Sequence, residues 1–307
     1  MSIDLYPSRI ENRASMLPRQ DPVVHSEWSA NAPLSREQTD SYEQEGFLVL
    51  RDVFDAQEIA RLQSEASYLE SSPNSLDPET TITEPQSGAV RSVFKIHQQS
   101  ALFERLASDA RLVRIAQFVL GDDVYIHQSR LNYKPGFEGK DFYWHSDFET
   151  WHVEDGMPRM LALSMSVLLT RNTPVNGPTM FMTGSHRHYA TCVGETPEDH
   201  YKQSLKKQEY GVPDHASLTE LAQGGIAMPT GPAGTVVMFD CNTMHGSNSN
   251  ITPIPRSNAF FVYNAMSNQL QAPFGPAMPR PEFIASRNDI EPIKPAEGKL
   301  TADQRAA

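Results

Sequence analysis

The chain has 307 residues, of which 39% are hydrophobic and 21% charged, a balance typical of a globular chain able to bury a core. Its 38 acidic residues outnumber its 26 basic ones, giving a net charge of −12 (26 − 38), so it lacks the positive field that holds nucleic acid. No apolar run is long enough to span a bilayer and the N-terminus shows no secretion signal, so we expect a cytoplasmic protein with neither membrane nor nucleic acid as a partner.

The first 34 residues show no hydrophobic period, and we expect them to form an irregular arm. Ser35 is a suitable N-cap for a short helix that Gly46 ends, and the apolar run Phe47–Leu50 predicts a strand. Asp55 and Glu58 have the spacing of a capping box at the start of a second helix.

A polar, turn-rich loop is predicted at 71–88, followed by two short amphipathic helices between Leu102 and Leu120. Beyond Gly121 the pattern favours short strands bounded by Gly, Pro or Asn, as in an antiparallel sandwich or barrel. The strands are predicted at 124–134, 161–170, 179–183, 234–240 and 258–264. We expect one domain, divided into an N-terminal arm (1–34), a mostly helical flank (35–121), a β core (122–270) and an irregular C-terminal cover (271–307).

Three residues suggest a metal site. Alternate side chains of a strand share one face, so His145 and Asp147 would point to the same place, and His245 could supply a third ligand from another strand. Two histidines and one carboxylate leave coordination positions open, as ferrous oxygenases require. The pair His186 and His188 is a competing ligand set, and a zinc hydrolase or a passive metal-binding barrel would also fit the residues taken alone. The two cysteines, Cys192 and Cys241, exclude a disulfide framework or a thiolate site.

Cationic and polar residues suggest an anionic ligand beside the metal. Arg256 lies at the start of the strand predicted at 258–264, which we expect to run antiparallel to the His245 strand, and its guanidinium could grip a carboxylate. Four long polar side chains share one face of the strand at 124–134, and we expect this face to point inward. They are Gln128, Arg130, Asn132 and Lys134.

The segment 142–158, FYWHSDFETWHVEDGMP, closely resembles the signature of the ectoine hydroxylases, a branch of the phytanoyl-CoA dioxygenase-like non-haem iron oxygenases. The resemblance extends through 177–179, 184–186 and 245–247, and the run at 46–49 suits the wider superfamily. It implies a mainly β fold with flanking helices and a double-stranded β-helix (jelly-roll or cupin-like) core. It also implies a homodimer and a role in cellular protection by a hydroxylated compatible solute.

The activity implied by the resemblance is hydroxylation of ectoine to 5-hydroxyectoine, with Fe(II) as cofactor, 2-oxoglutarate and O2 as co-substrates, and succinate and CO2 as by-products. The alternative is the same iron chemistry on another small zwitterionic or acyl substrate. The residues carried over to the metal are His145, Asp147 and His245, with Lys134 assigned to 2-oxoglutarate and Gln128 and Trp151 to ectoine. Further candidates are Arg256, Asn132 and Ser166 for the co-substrate, and Arg130, Thr150 and Phe261 for ectoine. Either Lys134 or Arg256 could bind the distal carboxylate of 2-oxoglutarate.

Overall fold

The computed structural model describes residues 4–71, 76–84, 88–205, 210–276 and 278–300. Its strands are β1 (Met16–Pro18), β2 (Phe47–Leu50), β3 (Thr81–Thr83), β4 (Val90–Phe94), β5 (Val124–Lys134), β6 (Phe142–His145), β7 (Ala162–Leu168), β8 (Thr179–Met182), β9 (His188–Ala190), β10 (Ile226–Ala227), β11 (Val236–Asp240), β12 (His245–Ser247) and β13 (Arg256–Ala265). Its α-helices are α1 (Arg36–Glu45), α2 (Ala56–Ser71), α3 (Ile96–Gln99), α4 (Ala101–Ala107), α5 (Ala110–Leu120), α6 (Asp147–Thr150), α7 (Tyr201–Ser204) and α8 (His215–Leu221). None of these helices combines the length and the apolar composition needed to cross a membrane.

Two antiparallel sheets form the centre of the molecule. The larger has seven strands in the order β2-β11-β7-β13-β5-β4-β3, and the smaller has four in the order β10-β8-β12-β6. Aromatic contacts join the two sheets, since the Phe181 ring of the smaller sheet lies 5.0 Å from the Phe239 ring of the larger one and 5.1 Å from that of Phe47. The space between the sheets therefore has walls from both, and the candidate site lies there.

The opposite face of the larger sheet packs against helices. Leu62 of α2 and Val113 of α5 belong to one buried cluster with Met165, Val167 and Phe261 of the sheet. Both faces of the central strands are thus covered, which is why β7 and β11 are buried at every position rather than alternately.

The capping residues predicted from the sequence lie at the ends of α1 and at the start of α2. The Ser35 hydroxyl accepts a hydrogen bond from the Gln38 amide, while the Gln38 side chain accepts one from the Ser35 amide. Gly46 ends α1 in the left-handed conformation, at φ 81°. Asp55 and Glu58 exchange the corresponding pair of bonds at the start of α2. The predicted caps are confirmed.

The flank at 35–121 contains strands as well as helices. It supplies β2, β3 and β4 to the larger sheet, although β4 was not predicted and β3 lies inside the segment predicted as a loop. Of that predicted loop, residues 72–75 and 85–87 lie outside the described residues. The N-terminal arm also has more structure than expected, because β1 pairs with β9 and Tyr6 is fully buried. β1, β2 and β4 pair with strands that are distant in sequence, which local sequence patterns do not encode.

We expect Leu62→Ala to lower the free energy of unfolding by about 2–5 kcal/mol, because Leu62 is fully buried and its truncation leaves a cavity. Denaturant titration measures the change. Ser64→Ala, at an exposed position of the same helix, is the matched control and should have little effect. A similar free energy of unfolding for the two variants would show that α2 does not contribute to the core as described.

Candidate active site

Two histidines lie opposite each other on neighbouring strands of the smaller sheet. His245 of β12 is the register partner of His145 of β6, and their ring centroids are 4.2 Å apart. Each Nδ1 is hydrogen bonded to a backbone carbonyl two residues earlier, at 2.8 Å to Tyr143 and 3.0 Å to Thr243. Because a carbonyl can only accept, each Nδ1 donates its proton, and each Nε2 keeps a lone pair for a metal.

Asp147 completes the group, but not as the continuation of a strand. β6 ends at His145, and the chain turns at Ser146 into α6 and a π-helical turn, Trp151–Asp155. We call residues 147–155 the ligand turn. Ser146 itself is extended (φ −103°, ψ 129°), so the side chains on either side of it still point the same way. The prediction of a shared direction was correct, whereas the prediction of a strand at Asp147 was wrong.

The three side chains have the spacing of a metal centre. Asp147 Oδ1 is 3.6 Å from His145 Nε2, Asp147 Oδ2 is 3.9 Å from His245 Nε2, and all three ligand atoms lie within 4.8 Å of one another. Among the residues that the structure describes, this is the one group of three or more such side chains close enough to share an ion. The competing pair is therefore not supported: His186 is hydrogen bonded to the Glu43 carbonyl and His188 is exposed.

Electrostatics favour the metal-binding protonation states. Burial, together with the charge of His145, lowers the pKa of His245 to about 4, so its imidazole is neutral near pH 7. Burial raises the pKa of Asp147, but His245 and His145 outweigh this effect and bring the pKa below its ordinary value. Two imidazoles and one carboxylate form the donor set that ferrous ion takes with positions left open.

A cavity on one side of the triad is rich in positive charge. Burial and the nearby Arg256 and Arg91 lower the pKa of Lys134 to about 6. Burial and Arg130 lower the pKa of Arg256 to about 10. The side chains that line this cationic cavity include Glu84, Arg91, Ser92, Phe94, Arg130, Asn132, Lys134, Lys140, Phe142, His145, His245, Ser247, Arg256 and Phe260. Cations at such close quarters repel one another, and an anionic ligand would relieve that repulsion.

The contacts of Lys134 and Arg256 differ. Lys134 Nζ donates to Ser247 Oγ at 2.8 Å and to the Asn248 carbonyl at 2.6 Å. Arg256 Nη2 donates to Asn132 Oδ1 at 2.8 Å, but its buried Nε has no hydrogen-bond partner among the described residues. Arg256 thus retains a donor for a ligand, whereas Lys134 is held by the last residue of β12 and by the residue that follows it.

The strand that carries Arg256 has different neighbours from those expected. β13 pairs with β5 and β7 in the larger sheet, and Arg256 is the register partner of Lys134 on β5. In the described residues, β13 does not pair with the His245 strand. The connection between β12 and β13 crosses from one sheet to the other. Arg256 therefore reaches the cavity from the wall opposite His245.

A second cavity lies on the other side of the triad. It is lined by Gln128, Arg130, Phe142, His145, Asp147, Thr150, Trp151, Glu154, Tyr201, Leu205, Tyr210, Arg280 and Ile284. We call it the aromatic cavity. Thr150 Oγ1 and Arg130 Nε are buried there without a hydrogen-bond partner among the described residues, and Gln128 donates to the Ile284 carbonyl at 2.7 Å. Unsatisfied buried polar atoms of this kind indicate a polar ligand.

Two predicted site residues lie elsewhere. Phe261 is fully buried in the main core, because successive residues of β13 point to opposite faces; Phe260 lines the cationic cavity instead, 5.2 Å from the Arg130 guanidinium. Ser166 lines a smaller neighbouring cavity that it shares with Asn258. The other predicted side chains line one or both of the main cavities.

Several lining residues were missed by the sequence analysis. Arg91 lies on a strand that was not predicted, and Arg280 lies in the irregular C-terminal cover. Nothing in their local sequence marks them. Phe260 could have been found, because it shares a strand face with Arg256 and Asn258.

Comparison with known proteins identifies relatives of the whole chain. Residues 42–258 match the phytanoyl-CoA dioxygenase family. The ectoine dioxygenase of Sphingopyxis alaskensis is 62% identical over 97% of each chain. Crystal structures of EctD from S. alaskensis, one with 2-oxoglutarate and 5-hydroxyectoine and one with bound Fe, superpose with TM-scores of 0.90 and 0.89 at 57% and 56% identity, covering 97% of this chain and 100% of theirs.

This structural similarity confirms the predicted double-stranded β-helix core with flanking helices. The family match covers more than half of the chain, including the metal triad. The protein therefore belongs to the phytanoyl-CoA dioxygenase family.

Proposed function

We propose that this protein is a non-haem Fe(II)- and 2-oxoglutarate-dependent dioxygenase that hydroxylates ectoine to 5-hydroxyectoine, with release of succinate and CO2. The observation that carries the proposal is the position of the triad between a cationic cavity and an aromatic cavity. An anionic co-substrate and a zwitterionic substrate would each find matching chemistry on one side of the metal. The names of the full-length relatives support the same reaction.

His145, Asp147 and His245 would hold the iron, since their donor atoms lie within 4.8 Å of one another and two imidazoles with one carboxylate suit it. When bound, iron together with 2-oxoglutarate and O2 supplies the oxidising chemistry that replaces a C–H bond of the substrate with C–OH. The backbone carbonyls bonded to Nδ1 of the two histidines keep both rings oriented before the metal arrives.

Arg256 is assigned to the distal carboxylate of 2-oxoglutarate. Its guanidinium is buried, is oriented by Asn132 and retains an unpaired Nε. Lys134, the register partner of Arg256 on the neighbouring strand β5, adds a second positive charge in the same cavity when it is protonated. A dianion placed between them would pair with the Arg256 guanidinium and stabilise the protonated form of Lys134.

Ectoine is assigned to the aromatic cavity. It carries a delocalised amidinium cation and a carboxylate, so it needs both an aromatic face and a cationic partner. Trp151 supplies the face, Arg130 and Thr150 have unpaired polar atoms for the carboxylate, and Gln128 adds an amide. Tyr201 and Tyr210 line the same cavity and limit the access of water to the substrate.

The proposal also includes a cellular setting. A cytoplasmic location stays a prediction from the sequence, and a homodimeric assembly and a role in protection by compatible solutes stay predictions from the family resemblance. The net charge of −12 supports the absence of nucleic acid as a partner.

Purified protein incubated with ectoine, Fe(II), 2-oxoglutarate and O2 should yield a product one oxygen atom heavier than ectoine, with matching succinate release. Mass spectrometry and succinate analysis measure both.

Asp147→Gly should lose metal binding and turnover together, because two imidazoles remain without the carboxylate, whereas Asp40→Asn at an exposed position should resemble the wild type. Near-normal turnover by Asp147→Gly would refute the metal assignment, and turnover of another substrate but not ectoine would refute the substrate.

Arg256→Gln should raise the KM for 2-oxoglutarate by at least about tenfold and leave the KM for ectoine nearly unchanged, since a buried partner of a carboxylate is lost on one side of the metal only. Steady-state kinetics with each substrate varied in turn measures the two constants. Arg171→Gln is the matched control at an exposed position. An equal rise in both KM values would place Arg256 outside the co-substrate site.

Binding of 2-oxoglutarate should take up a proton and weaken as the pH rises above about 6. Lys134, with its pKa lowered to about 6, is mostly neutral at pH 7.5 in the ligand-free protein, and a bound dianion raises that pKa again. The affinity should then fall by up to about tenfold per pH unit while this one proton is linked. Calorimetry in buffers of different ionisation enthalpy measures the uptake, and Lys134→Met should abolish it. Uptake that persists in Lys134→Met would assign the proton to another group.

A further inference from the structure

We infer that Arg9, on the N-terminal arm, is a positioning residue that holds the ligand turn in place and thereby sets the positions of Asp147 and Trp151. The identity of the metal and the substrate rests on the proposed function, but the contacts that carry the inference do not. Arg9 lies outside both cavities and outside the segment whose sequence suggested the site.

The Arg9 guanidinium spans the ligand turn. Its Nε and Nη2 donate to the two oxygens of Glu149 at 3.0 and 2.7 Å, and its Nη1 donates to Glu154 Oε1 at 2.7 Å. The side chain of Arg9 is 5% exposed and those of both carboxylates are 1% exposed. One buried cation therefore joins residues near the start and near the end of the turn, on either side of Trp151.

Hydrogen bonds of the N-terminal arm hold Arg9 in the position from which it reaches the ligand turn. Arg9 has a φ of 59°, in the left-handed region that residues with side chains seldom adopt. Its amide donates to the Cys192 carbonyl at 2.9 Å, and the neighbouring Ser8 hydroxyl donates to Glu149 Oε1 at 2.7 Å. A strained conformation that persists is over-determined by its surroundings, here by the bonds of the Arg9 amide and of the preceding Ser8.

The ligand turn also faces the site, and Glu154 both binds Arg9 and lines the aromatic cavity. Asp147, Thr150, Trp151 and Glu154 all line the aromatic cavity. Without Arg9, Glu149 would keep only Ser8 of the partners described above, and a buried carboxylate that loses its cation moves toward water or repacks. The displacement would reach the metal carboxylate and the aromatic wall, because both lie within the same two helical turns.

The cationic cavity should be affected much less. Neither of the carboxylates bound by Arg9 contacts Lys134 or Arg256 through a described hydrogen bond, and those two residues lie on β5 and β13 of the larger sheet. A defect confined to the metal and ectoine, with 2-oxoglutarate spared, therefore distinguishes positioning of the turn from a general loss of stability.

The test uses the full-length protein and its Arg9→Gln variant, with Arg13→Gln, at an exposed position of the same arm, as the matched control. Affinities are measured by calorimetry for Mn²⁺, for 2-oxoglutarate at saturating Mn²⁺, and for ectoine in the presence of both. We expect Arg9→Gln to weaken Mn²⁺ and ectoine binding about ten- to a hundredfold, as for other residues that orient metal ligands, while 2-oxoglutarate changes less than about threefold. Arg13→Gln should match the wild type in all three.

Unchanged Mn²⁺ and ectoine affinities in Arg9→Gln, or an equal loss for all three ligands, would overturn the inference. If Arg9→Gln does not fold, the comparison is made with Arg9→Lys, whose single ammonium keeps the charge but cannot bridge both carboxylates with the same geometry. Arg9→Lys should weaken Mn²⁺ and ectoine binding selectively, by a smaller factor than Arg9→Gln. A loss without this selectivity would overturn the inference. If the wild type binds Mn²⁺ but not ectoine, the proposed substrate is wrong, and the Mn²⁺ comparison still tests Arg9.

Discussion

The site depends on the pairing of His145 with His245 across β6 and β12. That single register brings together two imidazoles that are a hundred residues apart in the chain, and the carbonyls of Tyr143 and Thr243 aim both Nε2 atoms at one point. A slip of one residue in this ladder would turn one imidazole to the opposite face of the sheet. The position of Asp147 follows from the same strand end, since only an extended Ser146 separates it from His145.

Charge is distributed around this centre in two different ways. On the cationic side, Lys134 and Arg256 face each other with few acidic neighbours, an arrangement suited to a ligand that brings its own negative charge. On the aromatic side, Arg280 lines the cavity and Arg9 lies outside it, and both are already paired with acidic residues of the ligand turn. The first arrangement leaves charge available for binding, whereas the second uses charge to fix the geometry of the wall.

Much of the fold and the site could be predicted because the relevant signals are local. Ser35, Gly46 and Asp55 marked helix ends, and the central strands appeared as apolar runs bounded by turn residues. The alternation of β5 correctly placed four polar side chains on the face that lines the cavities. The same rule, applied to β13, would have selected Phe260 instead of Phe261, so that error came from its application and not from a missing signal.

The sequence by itself determined which residues have metal-binding chemistry, which strand faces are polar and where most helices begin and end, since each of these depends on neighbours within a few positions. Only the tertiary structure decided that Arg256 reaches the site from the larger sheet, that β4 brings Arg91 to the cavity, and that Arg9 spans the ligand turn. These contacts join segments more than a hundred residues apart or strands too short to be recognised locally. Their stability comes from burial and charge pairing in the folded chain, and neither exists until the segments meet.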